Sequence, residues 1–322
     1  MNESAEVRAA AAAPQSAART AATRPMLTLL RRELWEHTAL WIAPLVVAAA
    51  LIVGAIFGRA YAPAAMPISV GDGPVPPQGV GAMVTTALVM SFGAVQYFVM
   101  SVVLWFYATS CLYNERRDRS ILFWKSMPVS DAKTVGSKML MALVAVPLYV
   151  YLVTLLTTLV AIGIVALPRL SGPASVSVWD GGVWVRGQAF AFVYLVQSVL
   201  WYAPLTAYLL LVSAWARRNV QLWALSPLIA IIVERIAFGT HHLSTWLLYR
   251  LGPGWMSLGE QWFERLFSGP FYYASGGSSR GQIFAGMEPL RGFENIDLWI
   301  GLAVAAAFLY AAVRVRRYRD DT

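Results

Sequence analysis

The sequence predicts an all-α integral membrane protein with six transmembrane helices and both termini on the cytoplasmic side. Three observations carry this. Of 322 residues, 58% are hydrophobic and only 13% charged, about half the charged share of a soluble domain. Several apolar runs reach ~20 residues, long enough to cross a bilayer core as helices, and they lack the polar face that a helix of a soluble protein keeps. The Lys and Arg residues gather in alternate segments between these runs, which sets their orientation.

The spans are placed at 39–57, 84–112, 139–166, 189–215, 219–238 and 297–314. Each satisfies its own backbone hydrogen bonds, the condition for crossing hydrocarbon. Pro44, Pro147, Pro204 and Pro227 fall inside spans and are read as kinks packed against partner helices, not as loops. Of the 25 basic residues, five precede the first span, six lie in 113–138 and four lie at or beyond the end of the last, from Arg314 on. The segments on the opposite side hold fewer, and the largest share of those, Arg250, Arg265, Arg280 and Arg291, sits in the long 239–296 segment, where the positive-inside rule has least force. Both termini are therefore placed in the cytoplasm, and the chain in the plasma membrane (the inner membrane of a bacterium). The net charge of +8 follows from arginines at membrane-facing ends that meet lipid headgroups, so no nucleic-acid partner is assigned.

Residues 1–24 are Ala-rich with scattered Arg, Ser and Thr and read as a flexible cytoplasmic tail; residues 25–322 form one membrane domain. Pro25 opens PMLTLLRRELWEHTALW. Leu27, Leu30 and Leu34 fall on one side, Arg31, Arg32 and Glu36 on another, as in an amphipathic helix lying on the inner membrane surface or extending the first span. The loop 58–83 is rich in Pro and Gly, which forbids regular structure. Residues 167–188 are turn-rich, with a short hairpin expected around Asp180–Gly182. The single cysteine, Cys111, excludes an internal disulfide and reads as packing.

The most charged interior stretch is Tyr113–Lys138, YNERRDRSILFWKSMPVSDAKTVGSK. Glu115, Arg116, Arg117, Asp118 and Arg119 precede Ser120 and an apolar patch ending in Phe123 and Trp124, then Lys125. Pro128 disfavours helix at the residue before it, and Ser130 or Asp131 can cap a new helix running into the third span. The pattern is helix, break, helix on the cytoplasmic side. A plain positive-inside loop would explain the arginines but neither the acids nor the capped restart.

These residues resemble the permease subunits of ABC-2 type transporters: Glu115, the pair Arg116–Arg117, Ser120, an apolar stretch 121–123, Ser126–Met127–Pro128–Val129–Ser130, and Gly136–Ser137–Lys138 before a span. The six-span layout and the amphipathic helix before the first span fit the same family. The resemblance implies that the loop is a cytoplasmic coupling helix between spans 2 and 3, docking on a separate ATPase subunit through Glu115–Ser120, Phe123, Trp124, Lys125 and Pro128. Charges would orient such a transient interface and the large rings would carry most of its energy. No GxxxxGK[ST] occurs in the chain, so it holds no nucleotide site; ATP and Mg are expected on the partner, and the chain itself is not read as an enzyme. A second copy of the permease is expected too, since six spans make a poor two-sided pathway alone. The resemblance also implies export, with spans 2 and 5 lining the path and Gln96, Tyr97 and Glu234 as the polar positions to test.

Between spans 5 and 6, LSTWLLYRLG and WMSLGEQWFERLFSG read as amphipathic helices on the outer interface, where Trp is favoured. His241 and His242 with Glu234 raise an alternative, an intramembrane enzyme. Adjacent histidines cannot share one helix face, no HExxH is present and no third ligand is evident, so no metal site is assigned. A non-transporting membrane anchor or sensor using the 113–138 loop is the other alternative.

Overall fold

The computed structural model describes residues 25–61, 69–70, 73–74, 77–118, 130–166, 179, 181–252, 254 and 290–318. It is an all-α bundle. In chain order the helices are α1 (Pro25–Glu36), α2 (Ala39–Tyr61), α3 (Pro77–Arg117), α4 (Asp131–Leu140), α5 (Val146–Ala166), α6 (Gly181–Trp215), α7 (Val220–Ala224), α8 (Ser226–Phe238), α9 (His242–Leu251) and α10 (Ile296–Tyr318). A π turn, Met141–Ala145, joins α4 to α5 without a break, just before Pro147, which has no N–H to donate to a regular turn. The only strand pairing among the described residues is a two-residue antiparallel contact, Ser69–Val70 on Gly73–Pro74.

Among the described residues, five helices are long and apolar enough to cross a membrane: Ala39–Phe57, Val84–Arg117, Asp131–Ile164, Gly181–Trp215 and Ile296–Tyr318. This is a multi-pass membrane protein. Its outward side chains are apolar, among them Val46 and Ile56 on α2, Phe98 and Phe106 on α3, Leu152 and Leu156 on α5 and Ile300 on α10. Helix α3 packs on α2, α5 and α6, and α10 lies along α6. Both helices carry small buried residues, Ala203, Ala207 and Ala214 on α6 and Ala305 and Ala312 on α10, beside a Tyr208–Phe308 ring contact across the pair. Small side chains let two backbones approach closely where no hydrophobic force drives helices together.

Three expectations change. The fifth span is not one helix: α7 ends at Ala224, Leu225 leaves helical geometry at φ −87° and ψ 2°, and α8 restarts with Pro227 in its first turn. Proline clashes with the helical conformation of the residues before it, so Pro227 divides what Pro44 and Pro204 only punctuate inside continuous helices. The hairpin expected around Asp180–Gly182 is absent where it can be seen, because Gly181 and Gly182 open α6. The Pro- and Gly-rich segment 58–83 is not free of regular structure: α2 runs on through Tyr61, Ser69–Val70 pairs with Gly73–Pro74, and α3 opens at Pro77. The tail 1–24, Asp180 and the helix expected over WMSLGEQWFERLFSG lie outside the described residues; the helix expected over LSTWLLYRLG is α9.

Side-chain contacts fix the ends of the bundle. Glu33 of α1, Glu115 of α3, Lys138 of α4 and Arg316 of α10 meet in one ionic layer, here called the near end. Tyr208 of α6 meets Ser226, and Trp201 of α6 meets Arg250. Fourteen residues separate Trp201 from Trp215, a climb of ~21 Å at 1.5 Å per residue. The chain therefore leaves the near end after α6, reaches the far half through two broken helices, and returns to the near end along α10.

Candidate functional site

The ionic layer brackets the charged loop that the sequence singles out. Helix α3 enters it at Glu115, and α4 leaves the loop at Ser130, which caps it from extended geometry (φ −72°, ψ 148°) by accepting from the Lys133 amide. Asp131 follows in the first turn, where a carboxylate is favoured by the helix dipole.

Lys138, fully buried, is the hub. Its Nζ lies 2.7 Å from Glu33 Oε1 and 3.0 Å from Glu115 Oε1. The other Glu33 oxygen accepts from Tyr107 Oη at 3.0 Å. The other Glu115 oxygen accepts from Arg316 Nη1 at 2.6 Å, and Arg316 Nε donates to Asp131 Oδ1 at 3.1 Å. Arg32 adds Nη2 3.6 Å from Glu115 and Nε 2.6 Å from Glu36. Glu33, Glu115 and Asp131 thus face Lys138, Arg316 and Arg32. Charges can be withdrawn from water in this way only when each is paired and hydrogen-bonded. Removing one partner of such a pair costs about 3–5 kcal/mol, because the other is left buried and unmatched.

Arg116 makes a second fastening. Its Nη2 donates to the carbonyls of Ser213 and Ala216 at 2.8 and 2.7 Å, satisfying acceptors that the C-terminus of α6 leaves open. Ser213 Oγ returns the favour by accepting from the Leu112 and Tyr113 amides. The stretch that begins the loop is therefore bolted to α1, α4, α6 and α10 at once. The arrangement can carry a displacement, and at its edge the ligand atoms of Glu33, Glu36 and His37 lie within 4.8 Å of one another.

His37, in the elbow between α1 and α2, stands edge-on to Tyr107 with ring centres 4.9 Å apart, and its Nε2 is 3.9 Å from Glu33 Oε2. Burial lowers its pKa below the ordinary 6.5, with Glu33 pulling the other way and Lys138 adding to the depression.

The residues expected at an ATPase interface divide. Glu115 and Arg116 are turned into the bundle, so neither presents its charge to a partner directly. Arg117 and Asp118 are exposed and pair with each other at 3.2 Å. Arg119, Ser120, Phe123, Trp124, Lys125 and Pro128 lie outside the described residues. Gln96 is buried and donates to the carbonyl of Pro44 at 3.3 Å, a contact between α3 and α2. Tyr97 packs at the margin of the core. Glu234 accepts from Thr240 Oγ1 and from the amides of His242 and Leu243, which caps α9 and occupies the carboxylate that an enzyme site would use. His241 and His242 begin that helix and are not gathered into a ligand set with Glu234.

Sequence reasoning missed Glu33, Arg316 and Arg250. Glu33 had a local signal, since Met26, Leu29 or Leu30, and Glu33 share one helical face. Its partner stands 105 residues away, and no local pattern names it.

No protein-family model, curated protein or solved structure matches the chain.

Proposed function

We propose that the chain is the membrane-spanning permease subunit of an ATP-driven exporter, moved by a separate ATPase that docks on the loop between α3 and α4. The observation that supports it best is the clamp around that loop. Glu115 on its near flank and Asp131 on its far flank both bond Arg316, while Lys138 ties Glu115 to α1. A force applied to residues 119–129 acts on α1, α3, α4 with α5, and α10 together, because these pairs are buried and costly to separate. A loop that merely touched headgroups would not need its flanks locked into four helices. The absence of a phosphate-cradling loop in the sequence puts ATP hydrolysis on another polypeptide.

The near end is the cytoplasmic side by its basic residues. Six crossings follow if the broken α7–α8 pair counts as one: at the break the Leu225 amide still donates to the Gln221 and Leu222 carbonyls and its carbonyl accepts from Leu228, so the backbone polar groups there stay satisfied. A second copy of the chain completes the pathway. Exposed Arg117 and Asp118, with Phe123 and Trp124, form the docking surface; Glu115 and Arg116 hold that surface in place from behind. The capped carboxylate of Glu234 speaks against the enzyme alternative.

The orientation is tested in whole cells. With Cys111→Ala as background and Ser120→Cys as reporter, a membrane-impermeant maleimide is expected to label only after the cells are opened. Labelling of intact cells would put the loop outside and end this reading.

A further inference from the structure

The 220–251 region touches the bundle at its two ends. It begins with Gln221, which accepts from Trp105 Nε1 and donates to Thr109 Oγ1, and with Tyr208 against Trp223 and Ser226. Between these and the end of α9 no residue of α8 is buried, and in α9 Arg250 alone is. That single buried residue is charged.

Its seat is specific. Arg250 Nη2 donates to the Trp201 carbonyl at 2.7 Å and Nη1 to the Asp297 carbonyl at 2.8 Å. The guanidinium lies over the Trp201 ring, 4.0 Å from its centre, and Trp201 Nε1 donates back to the Arg250 carbonyl at 2.8 Å. Tyr202 Oη holds the next carbonyl, that of Leu251. A Cβ on Gly301 would overlap the guanidinium, so α10 carries glycine where the side chain enters. Arg250 thus bridges α6 and α10 through main-chain oxygens and a ring face, with no carboxylate hydrogen-bonded to it among the described residues.

We propose that Arg250 is the latch of a strap, residues 226–251, which opens as a unit at the far end while the near end stays closed. Seated, the guanidinium draws α6 and α10 together beneath α9. Withdrawn, it frees the strap and leaves a groove between the two helices, floored by Gly301. Two carbonyls and a ring can hold a guanidinium and can also release it, because no buried counter-charge is stranded when it leaves. The inference stands apart from the identity of any motor.

Hydrogen exchange on the full chain in nanodiscs tests it. In the unaltered protein, amides 242–251 are expected to exchange through a local opening, faster than amides 131–140 and 205–214. Arg250→Gln and, independently, Gly301→Ala are expected to speed exchange in 242–251 by about tenfold or more, the scale of one lost charged hydrogen bond, with 131–140 unchanged. Arg250→Lys, which keeps the charge without the fork that reaches two acceptors, is expected to fall between. Exchange of 242–251 at the rate of the core, no acceleration in either variant, or equal acceleration at both ends would each overturn the latch.

Discussion

The two ends of the bundle handle buried charge differently. At the near end Glu33, Glu115 and Asp131 meet Lys138, Arg316 and Arg32 from four helices, and Lys138 cannot leave without stranding the buried Glu33. At the far end one arginine rests on two carbonyls and an indole face, with only the half-buried Asp297 as a charge neighbour, and its departure strands no fully buried charge. The same chemistry of desolvation therefore makes one end a weld and the other a clasp. The proposed permease role would use both properties, stiffness where force enters and release where the bundle opens.

The largest break in this contrast should come from Lys138→Met. It leaves Glu33 and Glu115 buried without their shared cation, an expected loss of about 3–5 kcal/mol, seen as loss of monodisperse folded protein in detergent. Adding Glu33→Leu should recover part of it, because the two residues are coupled. Independent, additive losses would mean that the layer is not a unit. Gly301→Ala should cost less, about 1–3 kcal/mol by overpacking, with the damage confined to α9 and the start of α10. A loss as large as that of Lys138→Met would erase the distinction between weld and clasp. Ser130→Ala should cost about 0.5–1 kcal/mol as a lost N-cap, at the low end because the bond is 3.4 Å long.

His37 sharpens the near end by pH. Its folded pKa lies below 6.5, first through burial, so below that pH the unfolded chain takes up the proton more readily. The contribution is fully present above 6.5 and is lost as pH falls through the window beneath it. Melting in detergent between pH 7.5 and 5.5 should show stability rising with pH, with a shallower slope in His37→Gln. Identical slopes would assign the pH dependence to other groups.

Much of this was legible in the sequence because its causes are local. Apolar runs marked five long helices, and Pro128 followed by Ser130 marked a capped restart that the structure places at Asp131. The α7–α8 break was misjudged because four internal prolines look alike in sequence. Only tertiary packing decides that Pro204 stays within a helix while Pro227 ends one. The role of Glu33 was hidden for a related reason: its partners, Lys138 and Tyr107, stand far along the chain. The Arg250 seat was illegible as well, since it joins positions 49 residues apart in one direction and 47 in the other. Charged residues that pair over such distances look in sequence like any other surface charge.

The most direct test of force entering at the near end is ATP hydrolysis that travels with the chain. Purified from its native membranes, the unaltered protein is expected to carry an ATPase, and Phe123→Ala with Trp124→Ala is expected to lose that hydrolysis while the membrane domain keeps its melting point. Hydrolysis that persists undiminished in the double variant would contradict the docking of a motor on residues 119–129.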